Sequence, residues 1–223
     1  MTSWLFVIMS ITAGMFSSAF SRGPALLFGP ETTALLKSKD LKVRELVEAD
    51  LQAVTALEAA SFPPDEAASP ENLRFRQANA GAFFLEGRLC QDGNDNEEQG
   101  TSSSDGYMGS GGKLVGFVCG TCCPGSELSH ESMSDHDPSG PTLCIHSVVV
   151  DQQYRRSGIA SALLKAYVEQ IETTQPGIQR IVLISKAHLV PMYESCGFRL
   201  RGQSTVVHGK DPWFELRKEF NRE

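Results

Sequence analysis

Residues 154–161 of this chain read Tyr154-Arg155-Arg156-Ser157-Gly158-Ile159-Ala160-Ser161. An apolar stretch runs directly before them, Leu143-Cys144-Ile145-His146-Ser147-Val148-Val149-Val150, and reads as a strand. After them Ile159, Leu163, Leu164, Tyr167, Val168 and Ile171 recur three and four residues apart, the spacing of a helix with one buried face. The Arg-Arg-Ser-Gly-Ile-Ala segment is therefore a strand-to-helix turn. The first N–H groups of a helix lack intrahelical partners and lie at the positive end of its dipole. Such a turn is an anion site that fits a diphosphate. Gly158 and Ala160 are small, so a ligand can come close to the backbone. Taken alone, the same residues read more readily as an ordinary capped loop.

The rest of the chain surrounds this unit with strands and helices. Leu41–Leu46 alternates and predicts a first strand. Asp50 is placed to cap a helix carrying Leu51, Val54, Leu57 and Glu58 in register. The two prolines of Ser61-Phe62-Pro63-Pro64 end that helix. Ser69-Pro70 restarts one, with Ser at the N-cap and Pro at the first helical position, and it closes near Gly81. Ala82–Glu86 and Lys113–Gly120 predict two further strands. Between them Asp92–Gly112 is rich in Gly, Ser, Asn, Asp and Glu and predicts a disordered hairpin-tip insertion. Cys122–Gly140 is a polar connection holding His130 and His136, both expected in solvent. Arg180–Ser185 is a continuous apolar run, the pattern of a strand buried on both faces. His188–Ser195 predicts a short helix ended by Gly197, and Phe198–Val206 and Trp213–Arg217 predict closing strands. The fold class is α/β of the mixed α+β kind, a central mixed sheet flanked by helices on both faces.

Composition narrows the function. With 223 residues and 41% hydrophobic content the chain suits one sizeable core. One domain at residues 39–223 is expected, with residues 1–38 an extension outside the fold. A net charge of −7 argues against nucleic acid as a partner and suits a cationic substrate such as an amine, although it is also ordinary for a soluble protein. The cysteines form no zinc pattern, so no metal is expected and reduced thiols are. Cys119-x-x-Cys122 lies at a strand end without a second pair. Trp4–Phe20 is an apolar run with no charged side chain before Arg22. It is near the lower length limit of a membrane span and has the character of a signal-peptide core lacking its basic region. Ser17-Ser18-Ala19-Phe20 resembles the Ala–Phe cleavage site of bipartite plastid presequences. The expected address is organellar, of plastid type, with cytoplasm as the alternative, and with no stable membrane association of the mature domain.

Strand, turn and helix are followed by Val190-Pro191-Met192-Tyr193-Glu194-Ser195-Cys196-Gly197-Phe198. From Leu41 to Phe220 this order resembles the GNAT superfamily of acetyl-CoA-dependent N-acetyltransferases. Leu128-Ser129-His130-Glu131-Ser132-Met133 and His136-Asp137-Pro138-Ser139-Gly140 are similar to the arylalkylamine (serotonin) N-acetyltransferases within it. The resemblance implies a GNAT fold with a splayed sheet and acetyl-CoA as co-substrate; no metal is expected, and a monomer is expected. It implies acetyl transfer to a primary amine, an arylalkylamine such as serotonin or tryptamine. It also implies that Arg156, Ser157, Gly158, Ile159, Ala160 and Ser161 hold the diphosphate, and that the backbone of Val148, Val149 and Val150 binds pantetheine like an added strand. Phe62, Pro64, Val148 and Ile184 would border the amine, under a mobile loop at Phe62–Ser69. Tyr193 would be the general acid toward the CoA sulfur. The subfamily carries two histidines where this chain has Cys144 and His146, which leaves His146 as the expected base and Cys144 as a departure. Against these roles stand plainer ones: His146 a satisfied core histidine, Tyr193 a packing aromatic. Two further functions stay open, a polyamine or protein N-terminal acetyltransferase, and a non-catalytic acyl-CoA-binding sensor in which Cys144 marks lost chemistry.

Overall fold

The structure, a computed structural model, describes residues 40–90, 112–126, 135–206 and 212–221. The expected extension at 1–38, all of the expected insertion except Gly112, and His130 lie outside those residues. Among the described residues seven strands form one sheet: β1 Leu41–Glu45, β2 Phe84–Leu89, β3 Lys113–Cys123, β4 Thr142–Val150, β5 Arg180–Ser185, β6 Arg199–Gln203 and β7 Phe214–Glu219. The α-helices among the described residues are α1 Leu51–Ser61, α2 Pro70–Asn79, α3 Ile159–Thr174 and α4 Val190–Ser195. The strand order is β1-β2-β3-β4-β5-β7-β6. Only β4 and β5 are parallel, which is the pair that α3 connects.

Both faces of the sheet are covered. The apolar stripe of α3, Ile159, Leu163, Leu164, Tyr167, Val168 and Ile171, is buried against Val118, Leu143, Val148, Val150 and Ile181. The Tyr167 hydroxyl donates to Phe83 O at 3.0 Å, so the largest polar side chain of the stripe enters the core with its donor satisfied. On the other face Val54 of α1 and Leu73 of α2 pack with Phe84, Phe117, Cys119 and Val149.

Two irregularities in β4 position everything that follows. First, β4 and β5 pair only over Thr142–Cys144 against Arg180–Val182. Beyond Cys144 and Val182 the parallel strands part, and the second half of β4 is bonded on its β3 side alone. Second, Cys119 lies opposite Ser147 while Gly120 lies opposite Ile145. One residue of β4, His146, is therefore extra, and the strand bulges there. Gly120 faces the bulge because nothing larger fits: a Cβ on it would lie 2.7 Å from Cys144 O and 3.1 Å from the Tyr167 hydroxyl.

Several local expectations need correction. Asp50 does not cap α1; its carboxylate pairs with Arg44 at 2.7 Å and with Arg88 at 2.7 Å. Glu86, fully buried on β2, joins the same two arginines. An N-cap bond is worth about 1 kcal/mol, and a buried carboxylate with two guanidinium partners outweighs it. The strand expected from Ala82 starts at Phe84, after a 3-10 turn at Gly81–Phe83. β3 runs on to Cys123, which puts Cys119 and Cys122 inside a strand, both wholly buried. The helix expected over His188–Ser195 divides into a 3-10 turn at Ala187–Leu189 and α4. β6 stops at Gln203, short of Val206. The Ser69-Pro70 start is as expected: Ser69 Oγ accepts from Asn72 N at 3.2 Å.

Candidate active site

The turn after β4 is built to be left open. Gly158 caps α3 in the left-handed region at φ 81°, and no side chain caps the helix. Arg156, two residues earlier, is also left-handed at φ 62°, a conformation that costs a non-glycine residue about 1–2 kcal/mol. Backbone that alternates into the left-handed region is the form from which anion-binding concavities are built, and this turn carries two such residues in three. The Ser157 hydroxyl is turned back onto Tyr154 O, and Arg155 Nε donates to Val150 O at 3.0 Å, fixing the turn to the end of β4. A cleft of about 230 Å³ opens beside the turn, lined by Val150, Tyr154, Arg155, Arg156, Gly158, Ala160, Ser161, His188, Leu189 and Met192. Its walls thus come from β4, the turn, α3 and the start of α4. A larger concavity of about 740 Å³ lies between α1 and Arg88, but its guanidinium is already committed to Glu86 and Asp50.

Charge and shape of the turn suit a diphosphate. A Cβ on Gly158 would meet no atom within 4 Å, so space there is open toward the cleft. A side chain at φ 81° is strained by about 1–2 kcal/mol; Gly158→Asp is expected to fold at that cost and to bind CoA roughly tenfold or more weakly, because a carboxylate then faces the anion. Gly158→Asn, similar in shape and neutral, is expected to lose much less. Isothermal titration of both variants with CoA checks this; equal losses in the two would show that charge at this turn is not what matters.

Tyr193 sits on α4, one residue after the cleft-lining Met192. Its ring is fully buried edge-on to Phe198, with centroids 6.1 Å apart. Its hydroxyl has no hydrogen-bond partner among the described residues. A buried phenol left without a partner costs about 1–3 kcal/mol, which a packing aromatic such as Phe would avoid. Burial, helped by Cys196 nearby, pushes its pKa well above the ordinary value, so it stays a donor.

On the α1/α2 side of the bulge lies a polar cluster that sequence patterning did not single out. Glu58 of α1 is wholly buried. One oxygen, Oε1, accepts from Ala68 N at 2.8 Å and from Ser147 Oγ at 3.4 Å. The other, Oε2, is buried with no partner among the described residues. Burial raises the Glu58 pKa from its ordinary 4.5 to about 7, against the opposing pull of the Ala68 N–H, Arg76 and Ser147. Arg76 of α2 is itself buried and donates to Cys119 Sγ at 3.7 Å. His146 lies 2.7 Å from Thr121 Oγ1 through its Nε2. Its imidazole is fully buried, and burial together with the Arg76 charge holds its pKa well below the usual value. His146 is therefore neutral at physiological pH. The thiol of Cys144 lies 3.6 Å from that of Cys123. A glutamate on an amphipathic helix reads as solvated; a clue to burial lay in Val54 and Glu58 being four apart on one face.

The remaining expected positions scatter between core and site. Val148, Val149 and Val150 are buried on the unzipped half of β4, as are Ile159 on α3 and Ile184 on β5. Phe62 is buried beneath α1, while Pro64 is exposed. The Phe62–Ser69 loop is tied down at two points, by Ala68 N on Glu58 and by Glu66 to Lys186 at 3.5 Å. His136 is not simply solvated: its Nδ1 accepts from Cys122 N at 3.1 Å and its ring meets Phe83 edge-on. No three His, Cys, Asp or Glu side chains gather to hold a metal among the described residues. All six cysteines are free thiols, and no helix among the described residues is long and apolar enough to cross a membrane.

Comparison with known proteins places this geometry. The acetyltransferase (GNAT) domain family matches residues 132–218. Serotonin N-acetyltransferase of Mesocricetus auratus is 35% identical over 105 residues, which cover 47% of this chain and 50% of that protein. The chain thus spans about half the length of that curated relative. Among solved structures, the GphF GNAT-like decarboxylase in complex with isobutyryl-CoA superposes with a TM-score of 0.61 at 19% identity, covering 80% of this chain and 98% of that one. NAA60 of Arabidopsis thaliana, in complex with a bisubstrate analogue, superposes with a TM-score of 0.56 at 17% identity, covering 82% and 99%. The parted β4 and β5, the uncapped turn between β4 and α3, and the superposed structures agree that the fold is that of the GNAT proteins, and residues 132–218, which hold both features, match the acetyltransferase (GNAT) domain family.

Proposed function

We propose that this protein transfers the acetyl group of acetyl-CoA to a primary amine, and that the amine is an arylalkylamine of the serotonin or tryptamine kind. The observation that carries the transfer is the open β4–α3 turn beside an unzipped β4, which offers a diphosphate its N–H groups and a pantetheine chain its unpaired strand edge. Support for the aryl amine comes from the 35% identity to a serotonin N-acetyltransferase over half its length. When bound, acetyl-CoA supplies an activated acyl thioester; all else falls to the chain.

The amine arrives as an ammonium and must lose a proton before its nitrogen can attack. His146 is neutral but has its Nε2 engaged with Thr121. We place Glu58 in the role expected of His146, because a pKa of about 7 matches a general base at neutral pH whereas burial holds that of His146 well below its ordinary value. The Phe62–Ser69 loop covers that carboxylate through Ala68, so its displacement admits the amine. His146 and Thr121 keep the bulge in shape. Tyr193 then donates its proton to the departing thiolate, and the hydroxyl is free to do so.

A panel of aryl amines, spermidine and short peptides, assayed for acetyl-CoA-dependent thiol release, tests the substrate class. Tryptamine or serotonin is expected to give the highest kcat/KM. Preference for spermidine or a peptide N-terminus would reassign the acceptor within the same fold.

A further inference from the structure

The far edge of the sheet carries a charge arrangement that acetyl transfer does not use. On one face of the β6–β7 hairpin Arg199 lies directly opposite Arg217. The register skips between Leu200 and Gly202, so Arg201 is an extra residue in β6 beside the same pair. Like charges placed directly across two strands are destabilising. Carboxylates answer only part of this charge. Glu215 pairs with Arg217 at 2.9 Å. Glu219 is shared between Arg180 at 3.1 Å and Arg217 at 3.9 Å. Arg199 and Arg201 are exposed and form no ion pair among the described residues. Arg217 Nε is shielded from solvent and has no acceptor among the described residues. The three arginines border a concavity of about 280 Å³.

We propose that this concavity is a binding site for the phosphoryl group of a small anionic ligand. A dianion between Arg199 and Arg217 turns their repulsion into two attractions and gives the buried Nε its acceptor. Guanidinium groups suit this because their planar forks match phosphate oxygens in pairs. The size of the hollow admits a phosphate with a small substituent. A chain of net charge −7 has no general affinity for polyanions, so binding here depends on the basic side chains that line the hollow, the three arginines and Lys218. The site is separate from the β4–α3 turn and stands whether or not that turn binds CoA.

The test is titration of the full chain with inorganic phosphate at fixed ionic strength, read by calorimetry and by the chemical shifts of arginine Nε–H. Wild type is expected to bind saturably and to shift the Arg217 Nε–H signal. Because Arg199 and Arg201 are exposed, Arg199→Gln/Arg201→Gln is expected to fold normally and to bind roughly tenfold or more weakly. Gly158→Asp, which disables the turn, is expected to bind phosphate at this hollow as wild type does. A phosphate monoester binding more tightly than phosphate would mean that the hollow also holds the esterified group; equal binding would mean that it reads the phosphate alone. Undiminished binding by Arg199→Gln/Arg201→Gln, loss of binding in Gly158→Asp, or a shift that sodium chloride reproduces at matched ionic strength would overturn the site.

Discussion

Tyr193→Phe is expected to lower kcat by roughly 10² to 10⁴, the usual worth of a general acid, while leaving the fold as stable or slightly more so. Both halves follow from one observation. The hydroxyl is buried and has no partner among the described residues, so its removal takes away a desolvation cost and no hydrogen bond. The ring stays, and with it the edge contact to Phe198. The deficit should persist or grow as pH rises, because solvent becomes a poorer proton donor for the thiolate. Thermal unfolding beside steady-state kinetics checks the pair of outcomes. A stable variant with unchanged kcat would make Tyr193 a packing residue, and a large drop in Tm would mean that the hydroxyl has a structural partner.

The second large effect belongs to Glu58. Glu58→Gln is expected to lower turnover by roughly 10² to 10⁴ near neutral pH and to remove the acidic limb of the pH profile. In wild type the carboxylate accepts a proton only above its pKa of about 7, so kcat/KM should rise with pH through that value. The deficit of the variant should shrink at high pH, where the amine is already free and needs no base. His146→Gln should behave differently. Its imidazole is neutral across this range, so any loss should be the same at every pH. Stability gives an independent reading. Between 4.5 and about 7 the native state holds a proton on Glu58 that the unfolded chain has released. Its contribution to stability is therefore present at low pH and is lost as pH rises through 7. Glu58→Gln should abolish that decline, which denaturant titrations at pH 5 and pH 8 would reveal.

Much of this fold is legible in the order of residues because local chemistry and tertiary context agree. The α3 stripe declares itself through spacing alone, and the structure buries all six of its residues. Gly197, at φ 89°, ends α4 where a left-handed residue is needed. Ser69-Pro70 starts α2 by a capping bond that spans three residues. What escapes the sequence depends on partners far along the chain. The bulge at His146 exists only relative to β3, so no periodicity within β4 marks it. Glu58 owes its burial to Ala68, Arg76 and Ser147, the last of them 89 residues away. Asp50 looks like a cap and becomes an ion-pair centre because Arg44 and Arg88 converge on it from two strands. Thr121-Cys122-Cys123 precedes a Pro-Gly break and reads as a loop, yet it pairs with Thr142–Cys144 to the last residue. In each case the local preference is worth about 1 kcal/mol or less and a buried tertiary partner overrides it.

The replacement of the first expected histidine by Cys144 takes on a physical meaning here. Cys144 lies against Cys123 in a buried environment. A thiol in that setting serves as a small apolar group. A proton route through Glu58 does not need a second imidazole on β4, so loss of that histidine is compatible with catalysis.

The most direct test is a single reaction: the full chain with acetyl-CoA and tryptamine at pH 8, followed for free CoA thiol and for N-acetyltryptamine by mass spectrometry. One thiol released for each N-acetylated amine, at a rate that Tyr193→Phe lowers by roughly 10² or more, is the expected result. Thiol release no faster than without protein, or release without any N-acetylated product from tryptamine, spermidine or a peptide, would contradict acetyl transfer to an amine.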